Sequence, residues 1–86
     1  MKIEELKEAK RPEVGDIYRH FKGGVYRVIA IARREADRNI LDVVYESMET
    51  GEVWSRELSL FMSARDVEKY PQYEQCERML YVGRYI

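Results

Sequence analysis

The chain carries one histidine, His20, one cysteine, Cys76, and one tryptophan, Trp54. His20 lies in the stretch D-I-Y-R-H-F-K-G-G-V-Y-R-V-I-A-I-A-R (residues 16–33), which also holds the longest apolar run. An imidazole flanked by Tyr18, Lys22 and Arg27 would sit in a cationic setting that favours its neutral form. Such a ring can accept a proton or hold a ligand's donor, and equally it can be a hydrogen-bonded residue of a half-buried strand. Trp54 and Arg56 are two apart in V-W-S-R-E, so on a strand they share a face. An indole beside a guanidinium makes a platform for a flat or anionic ligand. The same pair can instead close the core, the arginine stem covering the ring. Tyr18, Tyr26 and Tyr45 add phenols suited to a core edge or a ligand wall.

Other chemistries find little support. Cys76 with His20 would supply a thiol nucleophile and a base, but no catalytic signature surrounds the cysteine. One histidine with scattered carboxylates has no recognisable metal-ligand spacing. No cofactor is expected, and one cysteine excludes an internal disulfide and fits a reducing compartment. Fifteen Lys and Arg oppose sixteen Asp and Glu, a formal net charge of −1. A nucleic-acid surface would have to use Arg19, Lys22, Arg27, Arg33 and Arg34 with the interleaved tyrosines, against that balance. No apolar segment approaches the ~20 residues of a membrane span, and the expectation is a cytoplasmic protein.

The elements that must position these residues are mostly strands. Residues 1–12 read as an N-terminal helix or arm, rich in helix formers and ended by Pro12. Residues 13–86 read as a single small β-barrel domain. Pro12 to Asp16 forms the turn into the first strand. Gly23-Gly24 then reads as a two-residue hairpin turn, pairing Phe21 with Tyr26, His20 with Arg27 and Tyr18 with Ile29. That register places Tyr18, His20, Lys22, Arg27 and Ile29 on one face. Ile17, Arg19, Phe21, Tyr26, Val28, Ala30 and Ala32 fall on the other, core-like face. Ile40–Met48 reads as a third strand, Glu49-Thr50-Gly51 as a loop with Gly51 left-handed, and Val53–Glu57 as a fourth strand. In that register Glu46 faces Trp54 and Val44 faces Arg56. A short helical turn near residues 57–62 follows, then an irregular segment over 66–75. A last strand is expected over Met79–Ile86, with a bulge or bend at Gly83.

The motif Y-R-H-F-K-G-G-V-Y-R-V, with V-V-Y-E-S-M-E-T-G-E-V-W-S-R-E-L-S-L-F, resembles an uncharacterised bacterial family, domain of unknown function sixteen fifty-three. The pattern falls on Tyr18, His20, Phe21, Lys22, Gly23, Tyr26, Val28, Val44, Tyr45, Gly51, Trp54, Arg56, Leu58 and Phe61. Glu57 stands where the pattern has a proline, and the tail beyond Gln75 runs on further, as an extra strand or one offered to a second subunit. The resemblance implies a mainly β, SH3-like, partly open barrel and no established activity. The site expected from the residues is a recess lined by Tyr18, His20, Lys22, Tyr45, Trp54 and Arg56. It would bind a small anionic or carbonyl-bearing ligand, or a protein partner, without catalysis. The alternatives are a small hydrolase or transferase with His20 as general base, and an RNA-associated barrel. A homodimer through Met79–Ile86 is a further expectation.

Overall fold

Runs of β-branched and aromatic residues between glycine-bearing turns produce five strands in the computed structural model, which describes residues 12–84. They are β1 (Asp16–His20), β2 (Gly23–Arg33), β3 (Leu41–Ser47), β4 (Val53–Glu57) and β5 (Met79–Arg84), with a single helical turn, α1 (Leu58–Phe61), between β4 and β5. The helix expected before Pro12 lies outside the described residues. The strands form one sheet in the order β4-β3-β2-β1-β5, with every neighbouring pair antiparallel. The described ladders leave β4 and β5 as the two edges, so the sheet is open rather than closed into a barrel. Among the described residues no helix is long and apolar enough to cross a membrane.

The sheet bends at three irregularities, between Arg19 and His20, between Val28 and Ala30, and between Ile17 and Tyr18 where β1 meets β5. An extra residue on one side of a ladder raises the local twist and turns the strand. The last of these skips Val82, beside the bend expected at Gly83. The core lies on one side of the sheet and consists of Tyr18, Val28, Val43, Tyr45, Phe61 and Met79. Phe61 is fully buried, its ring edge-on to Tyr18 at 4.9 Å and to Tyr45 at 5.3 Å. A four-residue helix has no stability of its own, and Glu57 gives it no side-chain cap, so α1 is held by this burial.

The first hairpin is not turned at Gly23-Gly24. Phe21 and Lys22 form the loop, Gly23 pairs with His20, and Tyr18 pairs with Tyr26 instead of Ile29. The physical reason is Phe21. Its ring is buried against Tyr70 and Tyr73, both at 5.1 Å, and its amide donates to the Arg78 carbonyl at 3.1 Å. The slip of three residues exchanges faces, because the side-chain period of a strand is two. Tyr18, Tyr26 and Val28 therefore share the core side, whereas Arg27 faces away and is paired with Glu46. The second hairpin is displaced by one residue: Tyr45 faces Trp54 and Val43 faces Arg56. Here Ser47 sets the turn, its hydroxyl accepting from the Glu49 and Thr50 amides at 3.2 and 3.1 Å. Gly51 takes φ 78°, the left-handed conformation expected of it.

Replacing Phe61 by Ala removes the ring on which two strands rest. Urea denaturation should show a loss of about 3–5 kcal/mol, and a loss under 1 kcal/mol would mean α1 is an ornament on a self-sufficient sheet.

Candidate functional site

Because Val43 and Tyr45 are core residues, their β4 partners Arg56 and Trp54 also lie on the core side, at the edge of the sheet. Tyr26 comes to the same region from β2, its ring edge-on to Tyr45 at 5.4 Å and 87°. The Tyr26 ring lies back over Gly24. A Cβ at that position would come within 3.1 Å of the tyrosine Cε2 and Oη, and Gly24 has φ +67°. The glycine thus serves the ring's placement as well as the backbone. His20, at the end of β1, completes the set. His20, Tyr26, Tyr45, Trp54 and Arg56 line a recess of about 160 Å³. Trp54 is 48% exposed, so the recess opens to solvent along β4.

His20 is held by its neighbours in the loop. The Lys22 amide donates to Nδ1 at 3.0 Å, and the ring stacks on Phe21 at 4.4 Å. With Nδ1 occupied as an acceptor, the proton of the neutral ring resides on Nε2. Partial burial lowers the pKa of His20, and the charges of Lys22, Arg56 and Arg78 lower it further. The cationic setting expected around this ring is thus present, with Arg56 and Arg78 in the place assigned to Arg27. The ion pairs among the described residues join Arg27 to Glu46, Arg34 to Asp42 and Arg84 to Glu13, and none takes Arg56. Among the described residues no carboxylate lines the recess.

Four of the six residues expected to form a site, His20, Tyr45, Trp54 and Arg56, therefore converge. Two do not. Tyr18 is 2% exposed and lies in the core, edge-on to Phe61 and to Tyr81 at 5.7 Å. Lys22 reaches away to Tyr70, where its Nζ donates to the hydroxyl at 2.9 Å and sits 4.1 Å from the ring centre. That hydrogen bond, with lesser help from Lys69, lowers the pKa of the Tyr70 hydroxyl. Tyr26 is the wall residue that the expected register concealed; the Tyr18–Tyr26 cross-strand pair is the signal that would have found it. Cys76 is exposed, and no group of three or more potential ligands for a metal ion occurs among the described residues.

The recess residues and the strands bearing them fall inside a longer match. A family model described as a protein of unknown function (DUF1653) covers residues 16–78. The chain belongs to the DUF1653 family. No curated protein and no solved structure matches it. The DUF1653 match takes in β1 to β4, α1 and the segment after it. It stops just before β5, which pairs with β1 of its own chain.

The lowered pKa of His20 has a consequence for this DUF1653 protein's stability. An unfolded histidine titrates near about 6.5, above the folded value, so the unfolded chain takes up the proton first as pH falls. Stability should therefore decline as pH drops from 7 through the folded pKa and then level off with respect to this group. The His20 ring should titrate below 6.5 by NMR, and His20→Gln should flatten the decline in denaturation midpoint. A titration midpoint at or above 6.5 would contradict the cationic surroundings.

Proposed function

We propose that this DUF1653 protein is a non-catalytic binding module whose recess, lined by His20, Tyr26, Tyr45, Trp54 and Arg56, takes a small anionic or carbonyl-bearing ligand. The observation that carries the reading is Arg56, a half-buried residue beside three aromatic rings, with no carboxylate lining the recess among the described residues. Taking a charge partly out of water without a counter-ion costs free energy that an incoming acceptor offsets. The aromatic walls supply apolar contact, and the histidine Nε2–H supplies a second donor. The architecture fits an SH3-like, partly open barrel, as the strand order and the helical turn between β4 and β5 both suggest.

The competing readings find less in the geometry. A hydrolase or transferase using His20 as base would need a nucleophile or a carboxylate beside the ring, and among the described residues the recess holds no serine, threonine, cysteine or carboxylate. The arginines that an RNA surface would use are engaged elsewhere. Arg27 and Arg34 are paired with Glu46 and Asp42, Arg33 donates to the Arg38 carbonyl at 2.5 Å, and Arg19 to the Gln75 side chain at 3.3 Å.

A thermal-shift screen of nucleotides, nucleosides, amino-acid derivatives and simple organic acids tests the binding reading. A ligand at a hundredfold excess over its Kd stabilises by about 2.7 kcal/mol, a shift on the order of 10 °C or more for a domain of this size. The shift should vanish in Trp54→Ala and in Arg56→Gln. A hit that survives both substitutions would put the site elsewhere.

A second, compatible reading is a homodimer through β5, favoured by the exposed Val82 on a strand that forms an edge of the sheet among the described residues. An edge strand is a template for a second strand. Light scattering should then give twice the chain mass, falling to one chain in Val82→Lys; a monomeric wild type excludes the dimer.

A further inference from the structure

The recess has a definite capacity, and its polar groups have a definite sign. A cavity of about 150 Å³ is enough to take up benzene, and this recess measures about 160 Å³. Pockets for drug-sized ligands and cofactors run from roughly 300 Å³ upward. One six-membered ring therefore fills the recess itself, and a nucleotide or a fused bicycle would extend past its mouth along β4. The walls are themselves flat. Tyr26 and Tyr45 already meet edge to face, and Trp54 stands opposite Tyr45 across the β3–β4 ladder with nearly half its surface open. Such walls favour a planar guest, which can stack on one ring while meeting the edge of another.

The polar groups around that space are mostly donors. Arg56 carries a guanidinium fork and Trp54 an indole N–H, and His20 keeps its one ring hydrogen on Nε2 because Nδ1 accepts from Lys22. The tyrosine hydroxyls can act either way. An aromatic enclosure of this kind could hold an organic cation, but Arg56 would repel one and no carboxylate among the described residues lines the recess to receive it. A neutral carbonyl would meet the donors and leave the guanidinium charge without a counter-ion. A carboxylate matches the fork in shape as well as charge, accepting two parallel hydrogen bonds.

We propose that the recess selects a single planar ring bearing a carboxylate, held with the ring against Trp54 and the tyrosines and the carboxylate on Arg56. This rests on the binding reading above and narrows it to one chemical class. A free aromatic acid has the required features in one molecule, with no need of a longer chain to contact the protein outside the recess.

Benzoate is the direct probe. Benzamide serves as its neutral isostere, benzylamine as its cationic counterpart, acetate as the acid without a ring, and 2-naphthoate as the two-ring acid. Uridine monophosphate represents the larger anions. Titrations of the full-length protein followed by two-dimensional amide NMR report both affinity and location, the indole N–H of Trp54 marking the recess. Benzoate should shift that resonance and the His20 ring, binding at least tenfold more tightly than each of the other five. Arg56→Gln should weaken benzoate at least tenfold while leaving benzamide within about threefold. Arg56→Lys, which keeps the charge and loses the fork, should fall between. Each variant's spectrum and melting midpoint verify its fold.

Benzamide or benzylamine matching benzoate overturns the carboxylate assignment, and acetate matching it overturns the ring. If uridine monophosphate or naphthoate shifts the Trp54 resonance and benzoate does not, the single-ring proposal fails while the recess still stands as a binding site. If none of the probes, and no ligand of the thermal screen, moves a recess resonance, both fall together.

Discussion

The contact of Phe61 with Tyr18 and Tyr45 is the constraint on which the rest of the structure depends. Tyr18 belongs to β1 and Tyr45 to β3, two strands separated by β2, so a single ring touching both requires the sheet to curl around it. The bulges in β1 and β2 allow that curl. Tyr45 then leans on Tyr26, which forms another wall of the recess. α1 follows β4 without a break, so burying Phe61 also anchors the end of β4, and with it Arg56. The core and the candidate site are two sides of one aromatic cluster. A substitution that loosens Phe61 should therefore disturb the recess before it unfolds the sheet.

The electrostatics work against the whole-chain balance. A formal charge of −1 describes a molecule with no preference for anions at long range. Locally the distribution is uneven. Acidic side chains pair with Arg27, Arg34 and Arg84 away from the recess. Around His20 the charges that move its pKa are those of Lys22, Arg56 and Arg78, all positive. Within a Debye length of about 8 Å in physiological salt, this uneven placement matters more than the sum. A small anion at the recess would experience a cationic surface on a chain that is almost neutral.

Much of the fold was legible because it depends on local pattern. The strand segments, the left-handed Gly51 and the helical turn follow from composition within a few residues. So does the shared face of Trp54 and Arg56. Pairing register did not follow, because it is decided at a distance. Two glycines in succession are a strong turn signal, yet the turn lies at Phe21-Lys22, where burial of Phe21 against Tyr70 and Tyr73 prevails. Nothing local to the hairpin reports those tyrosines. The error propagated in a regular way: an odd shift in register exchanges faces, so Tyr26 was assigned away from the recess and Tyr18 toward it. Lys22 was misplaced for the same reason, since its partner Tyr70 comes from the same distant segment.

That segment also determines how His20 is held. Its course is fixed by Arg65, whose guanidinium donates to the carbonyls of Tyr70 and Gln75, both at 3.1 Å. Gln75 in turn donates to the Arg19 carbonyl at 3.0 Å, tying the segment to β1. Held in this way, Tyr70 and Tyr73 keep Phe21 buried, Phe21 stacks on the imidazole, and the Lys22 amide stays on Nδ1. A general base needs a free lone pair on the nitrogen that faces its substrate. In the neutral tautomer set by Lys22 that lone pair is spent on the backbone, and Nε2 carries the hydrogen. Acting as a base through Nε2 would require the other tautomer, bringing two N–H groups face to face at Nδ1. The loop therefore holds the neutral ring with its hydrogen on Nε2, an arrangement consistent with the binding proposed for the recess.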